Sequence, residues 1–320
     1  MRSGIRWAAD GLRTHLRSIV SVAAVLAVCA GLVLLLGLVG ILNLAFIVDQ
    51  FDSFYNPAWV SLSLTLMAFA AGFVLAMPIG LMRAYGPSML RRRRGAAVGL
   101  TYKRAKELYG PGKAIRVVGI RRLKKILFVP GYGLATGYVE GIRGTPFYVQ
   151  MWLVFFFITM TFPQLPRVQY FAGFVGLTIN TVAYQAEVLR AGFQSVSQGQ
   201  IDAAKAIGMK EYQTFANITL PQSLRLIVLP LTNEWIALFK ASAILSFIAI
   251  QELMFQSKNI GSNLGQPLEG FVMVTILYLL INIPLSKVVT YVERKKRIPG
   301  LGTGVQSMRA AKKRRARDAA

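Results

Sequence analysis

Cysteine, histidine and acidic residues are scarce in this chain. Its 320 residues include one cysteine, one histidine and 13 acids, against 37 Lys and Arg. Cys29 cannot form an internal disulfide, and His15 alone cannot supply the partners that a zinc site, a Cys-His nucleophile or a Ser-His-Asp triad requires. The sequence contains no Walker A motif. We therefore predict no catalytic residue, no metal site and no cofactor in this chain, which is not expected to be an enzyme.

Charged residues of either sign are also few, and long apolar runs replace them. Charged residues form 16% of the chain and hydrophobic residues 54%, with a mean hydropathy of +0.50. This composition is too apolar for a soluble domain of this length. The first run is about twice as long as the core of a signal peptide and has no cleavage site, so we interpret it as a retained span. Six apolar runs lie at 19–48, 53–82, 144–166, 168–186, 226–251 and 270–286. They predict an all-α, polytopic membrane protein with about six transmembrane helices.

The basic residues are distributed unevenly between the predicted loops. Residues 83–125 contain fourteen Lys and Arg against one acid, and residues 287–320 contain eleven against two. Because positively charged loops stay in the cytoplasm, both termini are predicted to lie there. The net charge of +24 could indicate nucleic-acid binding, but no DNA-binding motif accompanies it. Contact with anionic membrane lipids explains the basic loops, and we predict no nucleic-acid partner.

A polar segment between the fourth and fifth spans has a distinctive spacing. Asp202, Ala203 and Ala204 are followed by three residues, Gly208, nine residues and then the sequence ITLP, which ends at Pro221. Ser197 and Gln200 have the spacing of a capping box, which predicts a short helix to Ile207 that is closed by Gly208 in the left-handed conformation. A second short helix from Met209 is expected to end at Pro221.

This spacing resembles the cytoplasmic loop by which permease subunits of bacterial ABC importers bind their ATPase. A second motif, IRGTPFYVQ at 142–150, resembles the IRGTP-x3-Q element of the polar amino-acid permeases, the histidine and glutamine importer-like group. The resemblance covers roughly residues 59–291. It continues through these further positions: Ala183, Tyr184, 187–192, 220–222, Asn233, Glu234, Lys240 and Ser242.

The resemblance implies a type I ABC importer permease fold, a location in a prokaryotic cytoplasmic (inner) membrane and a set of partners. These are two ABC ATPase subunits, a second permease subunit that is identical or different, and an external solute-binding protein. ATP and magnesium would be bound by the ATPase. The residues implied in ATPase coupling, within the loop 197–221, are Gln200, Asp202, Ala203, Ala204, Ile207, Gly208, Leu220 and Pro221.

The sequence departs from the family pattern in several places. Asp202 stands in place of the usual Glu, and Ala241 stands where an Asp is expected. The N-terminal segment 1–57, with an additional helix, and the basic insertion 86–125 exceed the usual pattern. We therefore divide the chain into that N-terminal segment, a permease domain at 58–292 that carries the insertion, and a basic cytoplasmic tail at 293–320.

Charged and polar residues inside predicted spans are candidates for the pathway or for substrate contact, since they are costly in a membrane. Glu187 and Arg190 have i,i+3 spacing, which allows a local ion pair. Gln150 could face the pathway or hydrogen-bond a neighbouring helix. Arg143 stands at a helix entrance, where it can extend to the lipid head groups. The candidate positions are Gln150, Glu187, Glu234 and Lys240.

Four function classes are compared on these observations. The first is a permease of an ATP-driven amino-acid importer, and the second is an ABC permease for another small solute. A secondary transporter or channel is expected to contain inverted repeats or broken midplane helices, and no convincing repeat is found. A membrane enzyme would need a catalytic constellation that the sequence does not offer. The sequence favours the first class.

Overall fold

The computed structural model describes residues 20, 23–24, 27–95 and 130–295. Most of the basic insertion and nearly all of the basic tail lie outside this part of the chain, as does the segment before residue 20. All regular secondary structure in the described part is helical. The helices are α1 (Ala27–Leu38), α2 (Leu44–Gln50), α3 (Tyr55–Gly95), α4 (Pro130–Arg143), α5 (Phe147–Thr161), α6 (Val168–Gln194), α7 (Gln198–Ala206), α8 (Glu211–Thr214), α9 (Leu220–Ala241), α10 (Leu253–Leu264) and α11 (Pro267–Lys295).

Helices α3 and α6 form an extensive contact with each other within the described part of the chain. Small residues line this contact, and Ala76, Ala183 and Ala186 are fully buried there. A Cβ atom added at Gly80 would lie 2.7 Å from Cβ of Leu189 and 3.0 Å from the backbone oxygen of Ala186. The two backbones can approach this closely because Gly80 has no side chain, which is the usual packing device between membrane helices.

A second core lies at the end of the molecule where α3 begins. It buries Phe54, Phe239 of α9, Leu253 of α10 and Met273 of α11. The backbone N–H of Asn43 donates to Oε1 of Glu269 at 3.0 Å, which links the start of α2 to α11. This core fixes the positions of α9 and α11 relative to α3.

The count of six spans is not confirmed. Among the described residues, three helices are long and apolar enough to cross a membrane, and the bent pair α4 and α5 could add a fourth. The first predicted run is interrupted, because α1 ends at Leu38 and Asn43 caps a new helix by accepting from the N–H of Phe46. The third run is shortened, since α5 has 15 residues and meets α4 at 111°.

The prediction that a short helix ends at Pro221 is wrong. The chain continues without a break from α8 into α9, so that residues Glu211–Ile248 form one helical segment of 38 residues. A π-helical turn, Phe215–Thr219, precedes the proline, and the N–H of Leu220 bonds the carbonyl of Phe215 five residues earlier. A wider turn of this kind accommodates the proline ring and the lack of an N–H donor at that position.

Candidate functional site

The loop 197–221 contains the predicted short helix. Helix α7 begins after Ser197 and ends at Ala206, with Ile207 as its C-cap. Gly208 has φ +84, so the left-handed closing conformation is confirmed. The capping box is wrong: the Ser197 side chain makes no capping bond, and its backbone carbonyl accepts from the N–H of Gln200 at 3.1 Å instead. The helix therefore begins without a side-chain cap and is followed by Gly208 in the left-handed conformation.

One face of α7 packs on the protein and another is free. Ala204 is 3% exposed, whereas Asp202 and Ala203 are exposed. Ile207 is 80% exposed and Tyr212 is 65% exposed, although both side chains are large and largely apolar. Gln200 and Gly208 are also exposed, whereas Leu220 is half-buried and Pro221 exposed at the start of α9. The predicted coupling residues thus lie on and beside a short helix with small exposed side chains, next to the exposed side chain of Ile207.

A cluster of charged residues joins α3, α4 and α6. Nη1 of Arg83 lies 2.6 Å from Oε2 of Glu187, and Nη2 lies 2.9 Å from Oε1 of Glu140. Arg190 binds Glu187 through two further hydrogen bonds of 2.5 and 3.0 Å, so the predicted i,i+3 pair is confirmed. Arg143 approaches the same carboxylate at 4.0 Å. Three arginines and two glutamates give this charge cluster a net charge of +1.

We expect Glu187→Gln to destabilise the protein more than Glu140→Gln does. Arg83 is 8% exposed and would lose its more shielded partner in the first variant, whereas Glu140 is 67% exposed. Because Glu187 is itself one-quarter exposed, the expected loss is about 1–3 kcal/mol, less than for a fully buried pair. Thermal unfolding of the two detergent-extracted variants measures this difference. Equal unfolding temperatures would contradict it.

A cavity of about 410 Å³ lies beside the charge cluster, between α6 and α9. Arg143, Glu187 and Glu234 supply its charged groups, and the rest of its wall is mostly apolar. Two of the four predicted pathway residues, Glu187 and Glu234, therefore come together at one site. The guanidinium of Arg143 lies over the ring of Tyr184, 5.6 Å from the ring centre, and its side chain is 43% exposed, so its extension to lipid head groups stays a prediction.

Gln150 stabilises the bend between α4 and α5. Its Nε2 donates to the carbonyl of Ile142 at 2.6 Å and to Oγ1 of Thr145 at 2.8 Å. Its Oε1 accepts from Nδ2 of Asn180 on α6 at 2.9 Å. Of the two alternatives for this residue, the structure shows the hydrogen bond to a neighbouring helix, α6.

Lys240 is separate from the cavity. It is exposed near the end of α9, and no ion pair to it occurs among residues 27–95 and 130–295. Glu234, six residues earlier on the same helix, is half-buried. As predicted from their spacing, the two charges do not neutralise each other.

Sequence reasoning missed the roles of Arg83 and Glu140 and the contact of Arg143 with Tyr184. Arg83 directly follows the apolar run 53–82 and looks like an ordinary membrane-boundary arginine. Its partners Glu140 and Glu187 follow 57 and 104 residues later, so only the packing of three helices brings them together. The one available signal was the scarcity of acidic residues. Because they are so few, each glutamate beside a span is a candidate ion-pair partner for an arginine such as Arg83.

Known proteins with similar sequences are transport components. The chain is 35% identical over 184 residues to the probable glutamine ABC transporter permease protein GlnM of Bacillus subtilis (strain 168), covering 58% of this chain and 84% of that protein. It is 33% identical over 165 residues to the glutamine transport system permease protein GlnP of Escherichia coli (strain K12), covering 52% of this chain and 75% of that protein.

Solved structures show the same architecture. The crystal structure of an amino acid ABC transporter with histidines matches with a TM-score of 0.61 and 27% identity, over 79% of this chain and 99% of that chain. The MetNI methionine ABC transporter in an inward-facing conformation shares the fold at a TM-score of 0.52 and 19% identity, over 75% of this chain and 95% of that chain. The all-α, type I ABC importer permease fold is thereby confirmed.

The family model for the binding-protein-dependent transport system inner membrane component matches residues 128–298. This range includes α4 to α11, and therefore the charge cluster apart from Arg83, the cavity and the loop 197–221. Subunits of this kind are transport components of the inner membrane, and a separate ATPase hydrolyses ATP for them. The chain belongs to the family of inner membrane components of binding-protein-dependent transport systems, as an ABC permease subunit.

Proposed function

We propose that this chain is the permease subunit of an ATP-driven importer for polar amino acids. The relatives include two permease proteins named for glutamine, a glutamate/aspartate import permease protein of Escherichia coli (strain K12) and an L-cystine transport system permease protein of Bacillus subtilis (strain 168). The observation that carries the coupling to an ATPase is the exposed helix α7 with its free Ile207. An apolar side chain that is 80% exposed beside a row of small residues is suited to a groove on another protein.

The proposed assembly contains two permease subunits, two ATPases and one external solute-binding protein. Both termini and the loop 197–221 face the cytoplasm in this arrangement, where ATP is available. The basic segments at 86–125 and 293–320 then lie at the cytoplasmic membrane surface, where each Lys or Arg contributes about 1 kcal/mol to contact with anionic lipids. Native mass spectrometry of the extracted complex tests the stoichiometry, and one permease per two ATPases would contradict it.

Transport by the reconstituted system tests the proposed function. Proteoliposomes containing the permease and its ATPase, with the solute-binding protein outside and ATP inside, are expected to accumulate one or more of glutamine, glutamate, histidine and cystine. Omitting ATP or the solute-binding protein should abolish the uptake. ATP-dependent uptake of a different solute, with none of these amino acids transported, would support the alternative of an ABC permease for another small solute. Uptake that needs no ATPase would support a secondary transporter instead.

We expect Lys240→Met to impair uptake more than it reduces the amount of inserted protein. Lys240 is about 22 Å along the helix from Arg225, too far to reach the same membrane surface. A charge at that depth must be compensated within the assembly, at the second permease subunit or in the pathway. If Lys240 serves only as a structural ion pair with the second subunit, the variant lowers the thermal stability of the complex and leaves the apparent substrate affinity unchanged.

Uptake, with its apparent substrate affinity, and the thermal stability of the complex are therefore both measured on Lys240→Met. Arg225→Met is the matched control. Arg225 is exposed near the start of α9, so its loss is expected to change neither the uptake nor the thermal stability. Unchanged uptake together with unchanged stability in Lys240→Met would contradict both roles for this lysine.

A further inference from the structure

The segment 83–86 of α3 joins parts of the protein that are far apart in the sequence. Its arginine binds Glu140 of α4 and Glu187 of α6. The carbonyl of the next residue accepts from Nε2 of Gln194, at the end of α6, at 3.2 Å. The last residue of the segment is a glycine that lies against the Tyr132 ring of α4, since a Cβ atom there would overlap that ring. We call this segment the α3 junction, because it links α3 to both α4 and α6.

The remaining residue of the α3 junction, Tyr85, contacts the loop 197–221. Its ring meets the ring of Phe215 edge-on, with 6.3 Å between the ring centres. Its hydroxyl shares a hydrogen bond with the side chain of Thr219, which is 2% exposed. Phe215 also meets Phe193 of α6, with 5.9 Å between the ring centres. Tyr85 therefore holds the loop at both Phe215 and Thr219.

Phe215 and Thr219 are the first and last residues of the π-helical turn that joins α8 to α9. The hydrogen bonds of such a turn span five residues instead of four, and these turns are frequent at functional sites. A helix can change direction where its regular ladder of hydrogen bonds is interrupted in this way. The turn is therefore the point at which α7 and α8 can move relative to α9. Since Tyr85 contacts both ends of the turn, its side chain follows such a movement.

A displacement of Tyr85 also displaces the other residues of the α3 junction. All of them lie in one continuous helix, α3, whose backbone moves as a unit over so short a distance. The arginine of the junction then changes its contacts with Glu140 and Glu187. Coupling between distant sites is carried by networks of this kind, built from packed side chains, hydrogen bonds and rigid helices. The loop 197–221 is thereby connected through α3 to α4 and α6.

We propose that Tyr85 transmits movements of the loop 197–221 to α4 and α6, and so couples ATP hydrolysis by the partner ATPase to transport. Tyr85 is a positioning residue, because it acts through the other residues of the α3 junction and contacts neither ATP nor the solute. This inference rests on the proposed function and identifies the contact by which the loop acts on the helices of the permease. Loss of the hydrogen bond between Tyr85 and Thr219 should therefore uncouple the importer without dissociating it.

Two variants remove this hydrogen bond and nearly keep the size of the side chain, Tyr85→Phe and Thr219→Val. ATP hydrolysis and the uptake of radiolabelled glutamine, glutamate, histidine and cystine are measured in proteoliposomes that contain the complete importer. Each variant is expected to lower the uptake per ATP hydrolysed about 3-fold to 10-fold, the factor that corresponds to the net contribution of one hydrogen bond. The amount of copurified ATPase should stay at the wild-type level, since neither residue belongs to α7.

The double variant and two matched controls separate this role from a general effect on the fold. Tyr85→Phe combined with Thr219→Val should lose no more coupling than either change alone, because both changes remove the same hydrogen bond. One control is Tyr170→Phe, at a half-buried position near the start of α6. The other is Thr275→Val, whose exposed hydroxyl donates to the carbonyl of Phe271. Both controls should transport as the wild type does.

Two outcomes of the uptake measurement would overturn the inference. They are wild-type uptake per ATP in both single variants, and losses in the double variant that add up from those of the single variants. A contact that only stabilises the fold would lower the unfolding temperature and leave the uptake per ATP unchanged. In each of these cases the proposed function stands, because the importer still transports an amino acid.

A spin label on α4 tests the inference without any solute. Leu134, which is 76% exposed, is replaced by a labelled cysteine after Cys29→Ser has removed the only native cysteine. ATP should change the mobility of this label in the otherwise wild-type complex, and Tyr85→Phe should reduce that change at least about 3-fold. No ATP-dependent change, or an equal change in Tyr85→Phe, would overturn the inference. If none of the four amino acids is taken up, the proposed function fails, and the spin label still decides the role of Tyr85.

Discussion

Replacing Ala203 by Trp is expected to abolish ATP-driven uptake while the permease remains inserted and folded. Ala203 is exposed on α7, so the permease alone can accommodate an indole ring there. A groove on the ATPase that fits a row of small side chains cannot accommodate it. Loss of one central contact in a protein interface costs about 2 kcal/mol or more, which corresponds to a fall in uptake of about 30-fold or more.

The control for Ala203→Trp is Gln164→Trp. Gln164 is exposed in the loop between α5 and α6, at the end of α6 remote from the loop 197–221. The two variants should unfold at the same temperature, and only Ala203→Trp should lose uptake and copurification of the ATPase. Gly208→Pro should give the same loss, because proline cannot adopt φ +84. Normal uptake by Ala203→Trp would exclude α7 as the coupling element.

Replacing Gly80 by Leu is expected to prevent stable packing of α3 on α6. Even the first side-chain atom would lie 2.7 Å from Cβ of Leu189 and 3.0 Å from the carbonyl oxygen of Ala186. The carbonyl belongs to the helix backbone, so α6 must move as a whole to relieve the overlap. Overpacking of this kind costs about 1–3 kcal/mol or more. It also displaces the carboxylate of Glu187 from Arg83.

Thermal unfolding and the yield of extracted monodisperse protein measure the effect of Gly80→Leu. Gly31→Leu is the matched control, since a Cβ atom at Gly31 meets nothing within 4 Å. A large fall in unfolding temperature for Gly80→Leu and none for Gly31→Leu is the expected result. Equal stability of the two variants would show that the close approach of α3 and α6 is not required.

Local features of the loop 197–221 were predictable from sequence. The short helix and its closing Gly208 depend on residues that are neighbours in the chain, and both are confirmed. The continuation past Pro221 was not predictable, because a π-helical turn compensates for the proline, and propensity rules do not anticipate that turn. The break before Asn43 was missed for a related reason, since an apolar run shows hydropathy but not where the helix changes direction.

The charge cluster and the cavity required the tertiary structure. The spacing of Glu187 and Arg190 revealed one ion pair, but the contact of Arg83 with both Glu140 and Glu187 joins three separate helices. Glu234 and Arg143 are 91 positions apart, and no periodicity relates them. Their convergence follows from the packing of α6 against α9 and from the bend that Gln150 stabilises.

Photo-cross-linking from position 207 tests most directly whether the loop 197–221 couples this permease to an ATPase. A photoreactive amino acid replaces Ile207, which is 80% exposed, and intact membranes are irradiated before the cross-linked partner is identified by mass spectrometry. The same amino acid at Gln164 is the control. The expected result is a cross-link from position 207, and not from position 164, to an ATP-binding-cassette ATPase. Cross-links from position 207 to lipid alone, or to no ATPase, would contradict the assignment.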